Sequence, residues 1–511
     1  MNAATERIGA SHGAYTGFDR LLIGPAWRPG RSDRRIRDTN PYTGDTLLEL
    51  SSANAQDLDE AYAAAAAVQP KWATQPPTFR AAVMERAAAI ITEREEEIVS
   101  WLVRESGSTR LKATLEFNTT RAVVLEAARI PHGAQSRILP SDVPGKECRV
   151  YRKPVGVVGI ISPWNWPLHL TARSVAPALA AGNAAVVKPS SDTPVTGGLL
   201  LAKIFEEAGL PAGLLSVLAG SGDEIGDAFV THPTPRVISF TGSTHVGRRV
   251  AELAAQSKII KRVDLELGGN TPFVVLADAP MEQTLDAAIF GRFLHQGQIC
   301  MSANRFIVDA AIYDEFTQRF AERARAVKWG DPDNEETLVG PIINKRQFDN
   351  VLKRIAEARQ AGARELVSGK PQGLVVPPHV FADVRNDMSV AREEIFGPVA
   401  SIIRVQGEEE ALRTANDTEQ GLSGCVFTRD LERGTRFVQR LESGMAHVND
   451  QPVNDLPNCP FGGEKNSGIG RFGGEWAIEA FTTDQWVTVQ HEPRMSPQRA
   501  SEVGGTLSAG G

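Results

Sequence analysis

Short apolar runs alternate with helical patterns along the chain from residue 155 onward. The predicted strands of a first set cover residues 155–161, 184–188, 215–218 and 237–240, and the predicted helices cover 170–181 and 193–208. A second set has predicted strands at 271–276 and 305–308 and predicted helices at 281–295 and 313–328. Because strands alternate with helices in both sets, the pattern predicts an α/β fold with two doubly wound parallel sheets.

The first 150 residues and the last 20 follow other patterns. Residues 1–40 are polar and Gly-rich, and we expect them to wrap the surface before a turn at 40–44. Helical patterns follow at 58–68, 78–105 and 111–134, and two prolines separate the first from the second. Residues 148–153 alternate like an edge strand, and the Ser-, Gly- and Pro-rich residues 492–511 are predicted to form a flexible tail.

Length and charge narrow the class of protein. A chain of 511 residues is too long for one hydrophobic core and should form at least two domains. The net charge of -7, with acidic and basic residues interspersed, argues against a nucleic-acid surface. We find neither a run of 18 apolar residues nor an apolar segment near the N-terminus, so the sequence predicts a cytoplasmic protein that does not bind a membrane.

The cysteines indicate a reducing compartment. The chain has four of them, widely spaced, and no two form a Cys-x-x-Cys pair. Neither a disulfide framework nor a metal site is therefore expected.

Cys300 is the candidate nucleophile. It directly follows Gly-Gln-Ile and precedes small residues, which would present its thiol to a substrate. Taken alone, however, a free cysteine is more often a buried structural residue. Upstream, Glu266 lies between two leucines and is followed shortly by a Gly-Gly pair. A carboxylate in apolar surroundings has a raised pKa, which suits a general base.

Two turns could hold further functional groups. Residues 240–247 follow an apolar strand and open a helix, so backbone N–H groups and Ser243 could bind a pyrophosphate. The same residues are also typical of a simple capped turn that binds no ligand. The Pro-Trp-Asn-Trp-Pro segment at 163–167 is stiff and could fix Asn165, or Asn165 could cap its own backbone. His295 is more plausible as a packed residue than as a base.

Six segments in this order resemble the signatures of the aldehyde dehydrogenase superfamily, and the resemblance runs from about residue 20 to about residue 490. They are residues 163–167, 240–244, 265–270, 297–300, 394–398 and 460–463. The resemblance implies that Cys300 is the nucleophile, that Glu266 is the general base, and that Asn165 stabilises an oxyanion together with the Cys300 N–H. It also assigns cofactor-binding roles to Ser162, Trp164, Lys188, Ser191, Gly222, Gly242, Ser243, Gly247, Leu267, Glu394 and Phe396. Asn449 and residues 460–463 would lie near the substrate entrance, although a closing turn explains them equally well.

The resemblance also implies a domain organisation. Residues 1–135 and 155–265 would form a Rossmann-like cofactor-binding domain, and residues 266–465 a catalytic domain. Residues 136–154 and 480–491 would form a small β flap that joins subunits into a homodimer or homotetramer.

The implied reaction is the oxidation of an aldehyde to a carboxylic acid with NAD or NADP, through a thiohemiacetal and a thioester on Cys300. Residues 171–177, 188–194 and 293–301 look most like benzaldehyde and vanillin dehydrogenases, which favours an aromatic substrate. Ser174 stands where many members carry a lysine, which argues against a lysine-assisted proton route. Ser191 stands where NAD-specific members often carry a glutamate, so we expect both cofactors to be accepted. The alternatives are an aliphatic or semialdehyde dehydrogenase, a cofactor-independent cysteine hydrolase, and an inactive binding protein on the same fold.

Overall fold

The computed structural model describes residues 13–134 and 136–493. The predicted tail from residue 494 on therefore lies outside the described residues. Four short strands and five helices come first: β1 (Leu21–Ile23), β2 (Ala26–Arg28), β3 (Arg35–Thr39), β4 (Thr46–Ser51), α1 (Ala55–Ala73), α2 (Pro77–Glu93), α3 (Glu95–Ser106), α4 (Arg110–Ala127) and α5 (Ile130–Gly133).

A hairpin and an alternating α/β segment follow. Their elements are β5 (Arg137–Leu139), β6 (Lys146–Pro154), β7 (Val157–Ile161), α6 (Pro167–Ala180), β8 (Ala184–Lys188), α7 (Leu200–Glu207), β9 (Leu215–Val217), α8 (Asp227–Thr231), β10 (Val237–Thr241), α9 (Thr244–Gln256) and β11 (Arg262–Glu266). Single π-helical turns, Val195–Leu199 and Gly222–Gly226, precede α7 and α8.

The remaining elements begin with a second alternating segment. They are β12 (Thr271–Val275), α10 (Met281–Phe293), β13 (Ala303–Asp309), α11 (Tyr313–Ala326), α12 (Lys345–Gln360), β14 (Arg364–Val367), β15 (His379–Ala382), α13 (Ser389–Arg392), β16 (Val399–Val405), α14 (Gly407–Asn416), β17 (Gln420–Gly421), β18 (Ser423–Phe427), α15 (Leu431–Val438), β19 (Met445–Val448), β20 (Glu464–Lys465), β21 (Gly468–Ile469), α16 (Gly474–Phe481) and β22 (Thr482–Gln490).

Two large sheets confirm the predicted α/β fold. The first has eight strands in the order β2-β1-β9-β8-β7-β10-β11-β21. Its five central strands, β9-β8-β7-β10-β11, are mutually parallel. The chain adds β8 and β9 on one side of β7 and then places β10 on the other side, so the winding direction reverses between β7 and β10. The crevice at the carboxyl ends of strands flanking such a reversal is where doubly wound sheets bind ligands.

The second sheet repeats this arrangement. Its seven strands follow the order β14-β15-β16-β13-β12-β18-β19, and only β14 is antiparallel to its neighbour. Its strands β12 and β13 are buried along their whole length, as expected when helices cover both faces of a parallel sheet.

A three-stranded antiparallel sheet, β22-β6-β5, lies apart from the two large sheets. Strand β6 pairs with β22 over nine residues on one side and with β5 on the other. The prediction of an edge strand at 148–153 is therefore wrong, because β5 covers the side that alternation alone left open. One face of this sheet carries the exposed apolar side chains of Leu139 and Trp486, 44% and 67% exposed, and Ile138, 73% exposed, lies on the other face.

Two helical and surface predictions also need correction. Of the predicted surface segment 1–40, residues 1–12 lie outside the described residues, and the remainder does not simply wrap the surface, because β1 pairs with β9 in the first sheet and buries Leu21–Ile23. The single helix predicted at 78–105 is two helices that meet at Arg94, which leaves the helical conformation. Its guanidinium donates to Glu97 and Glu207, so tertiary contacts hold the break.

Helix α6 directly follows the turn that contains Asn165. All of its residues are buried, and they include the charged residue Arg173 among mostly apolar ones. Such a helix must find partners for its polar side chains inside the protein. Within the described residues, no helix is both long and apolar enough to cross a membrane.

Candidate active site

Cys300 follows a strained segment between α10 and β13. The predicted helix to residue 295 ends at Phe293, and His295, Gln296 and Gly297 have φ values of 50°, 58° and 72°. The left-handed region is unfavourable for residues other than glycine and persists only where surrounding contacts enforce it. Here the Gln296 amide donates to two backbone carbonyls at 3.1 and 2.8 Å, and the Gln298 side chain accepts an N–H at 3.1 Å. These contacts fix the approach to Cys300.

His295 takes part in that segment as a packed residue. It is fully buried, and neither ring nitrogen has a hydrogen-bond partner among the described residues. Burial lowers the pKa of His295 well below its ordinary value, so the ring is neutral. This environment agrees with the interpretation of His295 as a packed side chain.

Cys300 lies on the wall between two cavities. The first has a volume of about 310 Å³ and is also lined by Glu266, Trp164, Glu394 and the 241–243 turn. The second has a volume of about 260 Å³ and is lined mainly by apolar side chains. Cys300 and Asn165 border both cavities. A molecule in either cavity would therefore meet the same sulfur.

The Cys300 thiol is protonated in this environment. Burial, together with the charges of Glu394 and Glu266, raises the pKa of this thiol to about 12, and Arg173 opposes the rise. The thiolate is the reactive form of cysteine. The proton must therefore leave as the sulfur attacks.

Glu266 ends β11 and is buried beside the first cavity. Its side chain is 2% exposed, and neither carboxylate oxygen accepts a hydrogen bond from a described residue. Burial raises the pKa of Glu266 to about 8, which the charge of Arg173 partly offsets. A carboxylate without hydrogen bonds and with a pKa near neutrality is suited to accept a proton.

The Gly-Gly pair after Glu266 allows two other segments to approach closely. A Cβ atom on Gly269 would lie 2.1 Å from the Cys300 carbonyl oxygen, and one on Gly268 would lie 2.6 Å from a Glu394 oxygen. The Gly269 N–H donates to Glu394 at 3.0 Å. Only glycine leaves room at these positions, so the pair brings Glu266, Cys300 and Glu394 together.

Asn165 is tied to the Cys300 loop. Its side-chain amide donates to the Gln298 carbonyl oxygen at 2.9 Å, and its own carbonyl accepts a hydrogen bond from Lys112 at 2.7 Å. A carboxamide nitrogen carries two N–H groups, so one remains for a group bound beside Cys300.

The structure brings six of the predicted cofactor-binding residues to the first cavity. They are Trp164, Gly242, Ser243, Leu267, Glu394 and Phe396. The rings of Trp164 and Phe396 meet edge to face with centroids 5.4 Å apart. Ser243 caps α9 by accepting a hydrogen bond from the Val246 N–H. The cavity thus opens onto both strands that flank the reversal in the first sheet.

Four other predicted residues do not line this cavity but lie at the same edge of the sheet. Ser162 follows β7, Lys188 ends β8, Ser191 follows it, and Gly222 lies after β9. The Ser162 and Ser191 hydroxyls donate to backbone carbonyls at 3.3 and 3.4 Å. Burial lowers the pKa of Lys188 to about 8, and the charges of Asp223 and Glu224 oppose this.

Gly247 has a packing role in the structure. It is buried within α9, and a Cβ atom there would lie 2.3 Å from the Leu267 side chain. The glycine therefore lets α9 pack against the segment that follows Glu266.

The walls of the second cavity come from α4, the Asn165 turn, α6, α10, the Cys300 loop and the 451–461 segment. Its aromatic and long apolar side chains are Leu115, Trp166, Leu170, Phe290, Leu294, Ile299, Met301, Val453, Leu456 and Phe461. Asp455 is its charged group, and its carboxylate accepts from His169 at 2.8 Å and from Arg173 at 3.2 Å. Asn449 makes two side-chain hydrogen bonds to the Thr428 backbone. These bonds fit the alternative in which Asn449 closes a turn rather than lying at the substrate entrance.

Several buried charged residues near the site were missed from the sequence. Lys112, Glu116, Arg173 and Arg292 are each at most 3% exposed. Arg292 donates to the carbonyls of Gly297 and Ala303, which lie before and after Cys300, and also to the Gly397 carbonyl, so it braces both sides of the Cys300 loop. Lys112 and Glu116 are four residues apart on a helix beside buried apolar positions, a spacing that could have indicated an inward-facing pair. Among the described residues, no group of three His, Cys, Asp or Glu side chains could hold a metal ion.

Comparisons with known proteins agree with this geometry. Residues 27–487 match the model of the Aldehyde dehydrogenase family. A vanillin dehydrogenase of Corynebacterium glutamicum is 53% identical over 478 residues, which cover 93% of this chain and 99% of that protein. A benzaldehyde dehydrogenase of Bacillus subtilis is 48% identical over 483 residues, covering 94% and 99%. The crystal structure of an NAD-dependent benzaldehyde dehydrogenase from Corynebacterium glutamicum has a TM-score of 0.87 at 49% identity, covering 95% of this chain and 99% of that one. The chain therefore belongs to the aldehyde dehydrogenase family.

Proposed function

We propose that the protein oxidises aromatic aldehydes to carboxylic acids with NAD or NADP. The observation that carries this proposal is the position of Cys300 on the wall shared by an apolar cavity and a cavity at the reversal point of the first sheet. An aldehyde in the second cavity and a cofactor in the first would thus meet at one sulfur.

Each catalytic residue has a role that follows from its position. The Cys300 thiol releases its proton to water as its sulfur attacks the aldehyde carbon, and the Asn165 amide and the Cys300 N–H stabilise the oxyanion that forms. A bound nicotinamide supplies the acceptor for the hydride that leaves this carbon. The acyl group then held on Cys300 is a thioester, and Glu266 takes a proton from the water that hydrolyses it.

The residues at the first cavity fit a dinucleotide. The carboxyl ends of β7 and β10, the 241–243 turn and the start of α9 would hold the pyrophosphate. Glu394 and Phe396 would hold the nicotinamide ribose and ring, and Lys188 the adenine ribose. Ser191 places no carboxylate beside that ribose, so a 2′-phosphate would meet no charge repulsion from position 191.

The aromatic substrate class rests on the second cavity and on the relatives. Trp166, Phe290 and Phe461 give the cavity three aromatic walls close to Cys300. The relatives with vanillin and benzaldehyde in their names are about half identical to this chain over nearly its whole length. A flat apolar ring suits such walls better than a short aliphatic chain does.

Activity with a panel of aldehydes tests the proposal. We expect benzaldehyde and vanillin to give a kcat/KM at least about tenfold above that of acetaldehyde, measured by the absorbance of the reduced nicotinamide. Cys300→Ala should abolish oxidation and leave cofactor binding within twofold of the parent. A preference for short aliphatic aldehydes would contradict the aromatic class, and hydrolysis of an ester without any cofactor would favour a cysteine hydrolase.

We also propose that the chain forms a homodimer or homotetramer through the β22-β6-β5 sheet. The exposed Leu139 and Trp486 side chains lie on one face of this sheet, and strand β6 pairs with β22 over nine residues. Large exposed apolar side chains grouped on one surface are typical of an interface between proteins.

The proposed domains are residues 1–135 with 155–265 for cofactor binding, residues 266–465 for catalysis, and 136–154 with 480–491 for oligomerisation. The pairing of β21 with β11 supports a boundary near residue 465, because the chain has returned to the first sheet by residue 468. A cytoplasmic location is proposed from the four free cysteines, which suit a reducing compartment.

A further inference from the structure

A buried ion pair lies behind the turn that carries Asn165. Lys112 and Glu116 face inward from α4, and both side chains are 0% exposed. The Lys112 ammonium donates to the Ser108 hydroxyl at 2.9 Å, to Glu116 at 2.5 Å and to the Asn165 carbonyl oxygen at 2.7 Å. All three of its N–H groups are therefore used, and one of them holds the backbone of Asn165.

Glu116 holds the other side of the same turn. One oxygen accepts from Lys112, and the second accepts from the N–H groups of Leu168 and His169 at 2.9 and 3.2 Å. These N–H groups belong to the first turn of α6, where a helix has no internal acceptors and where negative charge is favourable. The carboxylate therefore anchors the helix that lines the second cavity.

The free-energy cost of burying Lys112 and Glu116 indicates a role other than stabilising the fold. Burying two charges costs desolvation free energy that their attraction does not reliably recover, and apolar pairs of similar volume often stabilise a protein as well. The geometry of this pair is complete, however, and it converges on the segment that joins Asn165 to α6. The Lys112 ammonium also lies 4.8 Å from the centre of the Trp166 ring, a wall of the second cavity.

We infer that Lys112 and Glu116 are positioning residues that fix the Asn165 amide against Cys300 during attack on the aldehyde. This inference rests on the proposed role of Asn165 as the oxyanion donor. Lys112 donates to the backbone carbonyl of Asn165, and the Gln298 carbonyl accepts from its side-chain amide. Asn165 is therefore held at both its backbone and its side chain. A donor that is already oriented stabilises the oxyanion without reorganisation, and a displacement of about 1 Å can cost on the order of a hundredfold in rate.

The test uses the double variant Lys112→Met/Glu116→Gln. It removes both charges together, so neither is left buried alone, and glutamine can still accept from Leu168 and His169. We expect its unfolding temperature and its NAD affinity to stay close to those of the parent. The rate of the first burst of reduced cofactor with benzaldehyde should fall at least about tenfold, because the oxyanion donor is no longer fixed.

Two comparisons separate this role from a general loss of packing. Arg110→Met, which removes a partly exposed charge from the same helix, should leave the burst rate within twofold. In the Asn165→Ala background, the double substitution should add less than twofold, because the residue through which it acts is already gone.

The outcomes are distinguishable. A folded double variant with a parental burst rate would overturn the inference, as would a full additional loss in the Asn165→Ala background. An unchanged burst in Asn165→Ala itself would instead reject the proposed role of Asn165. If the double variant does not fold, Ser108→Ala decides: it removes one acceptor from Lys112 and should slow the burst severalfold, and an unchanged burst overturns the inference.

Discussion

Glu266 shows how one buried carboxylate can set the pH range of the reaction. Burial raises its pKa to about 8, and the base must be ionised to accept a proton from water. The ionised fraction therefore rises from about one tenth at pH 7 to about nine tenths at pH 9. Where hydrolysis limits turnover, we expect kcat to rise over this range with a midpoint near pH 8. Glu266→Gln should keep the rapid first burst of reduced cofactor and lose this rise, and a flat kcat profile of the parent would contradict the assignment.

Neighbouring charges give this pH dependence a matched control. Arg173 lowers the pKa of Glu266, whereas Asp455 raises it. Arg173→Met should therefore move the rise in kcat to higher pH, and Asp455→Asn should move it to lower pH. Shifts in the same direction would mean that these substitutions act by disturbing the packing.

Ser191 is the residue at which cofactor preference can be tested. A carboxylate about 4 Å from a 2′-phosphate would cost roughly 4 kcal/mol at an effective dielectric near 20, and solvent would reduce this to about 1–3 kcal/mol. Ser191→Glu should thus lower kcat/KM for NADP at least about tenfold and leave NAD within a few-fold. Both cofactors are compared in both variants at fixed ionic strength. An unchanged ratio would show that residue 191 does not face the ribose.

At the scale of elements, the Gly-Gly link between β11 and β12 decides how closely the Cys300 loop approaches Glu266. A Cβ atom on Gly269 would lie 2.1 Å from the Cys300 carbonyl oxygen, so Gly269→Ala must displace one of the two segments. We expect the burst rate to fall by about a hundredfold and stability to drop by about 1–3 kcal/mol. Gly226→Ala is the control, because a Cβ there meets no atom within 4 Å. Equal effects of the two substitutions would argue against the close approach.

At the scale of the whole molecule, the three-stranded sheet should hold subunits together. Trp486 is 67% exposed on β22, and Trp486→Asp would put a charge at the proposed interface. We expect light scattering to show a smaller species for this variant than for the parent. Leu431→Asp changes an apolar residue of similar exposure, 63%, on α15 and should leave the size unchanged. A parent that is already monomeric would reject the proposed assembly.

Local sequence determined much of this molecule. The alternation of apolar runs and helical patterns was enough to predict the two parallel sheets, because the spacing of apolar residues distinguishes strands from helices locally in the sequence. The segments around Glu266 and Cys300 indicated the chemistry, because a carboxylate between leucines and a cysteine after a Gly-Gln-Ile turn are local features. For Asn165 and Ser243 the local pattern left a functional and a purely structural alternative open, and the resemblance to a family chose between them and added the roles of the other cofactor-binding residues.

Tertiary structure alone decided the features that depend on distant parts of the chain. Strand β6 reads as an edge strand, and only its pairing with β5 and β22 makes it central. The predicted helix runs to His295, but the chain is left-handed at His295 and Gln296, where contacts of Gln296 to residues 107 and 341 fix the backbone. Lys112 and Glu116 look like ordinary helix-surface charges until α6 closes over them. In each case the deciding partner lies far away in sequence, and its free-energy contribution exists only once the chain has folded.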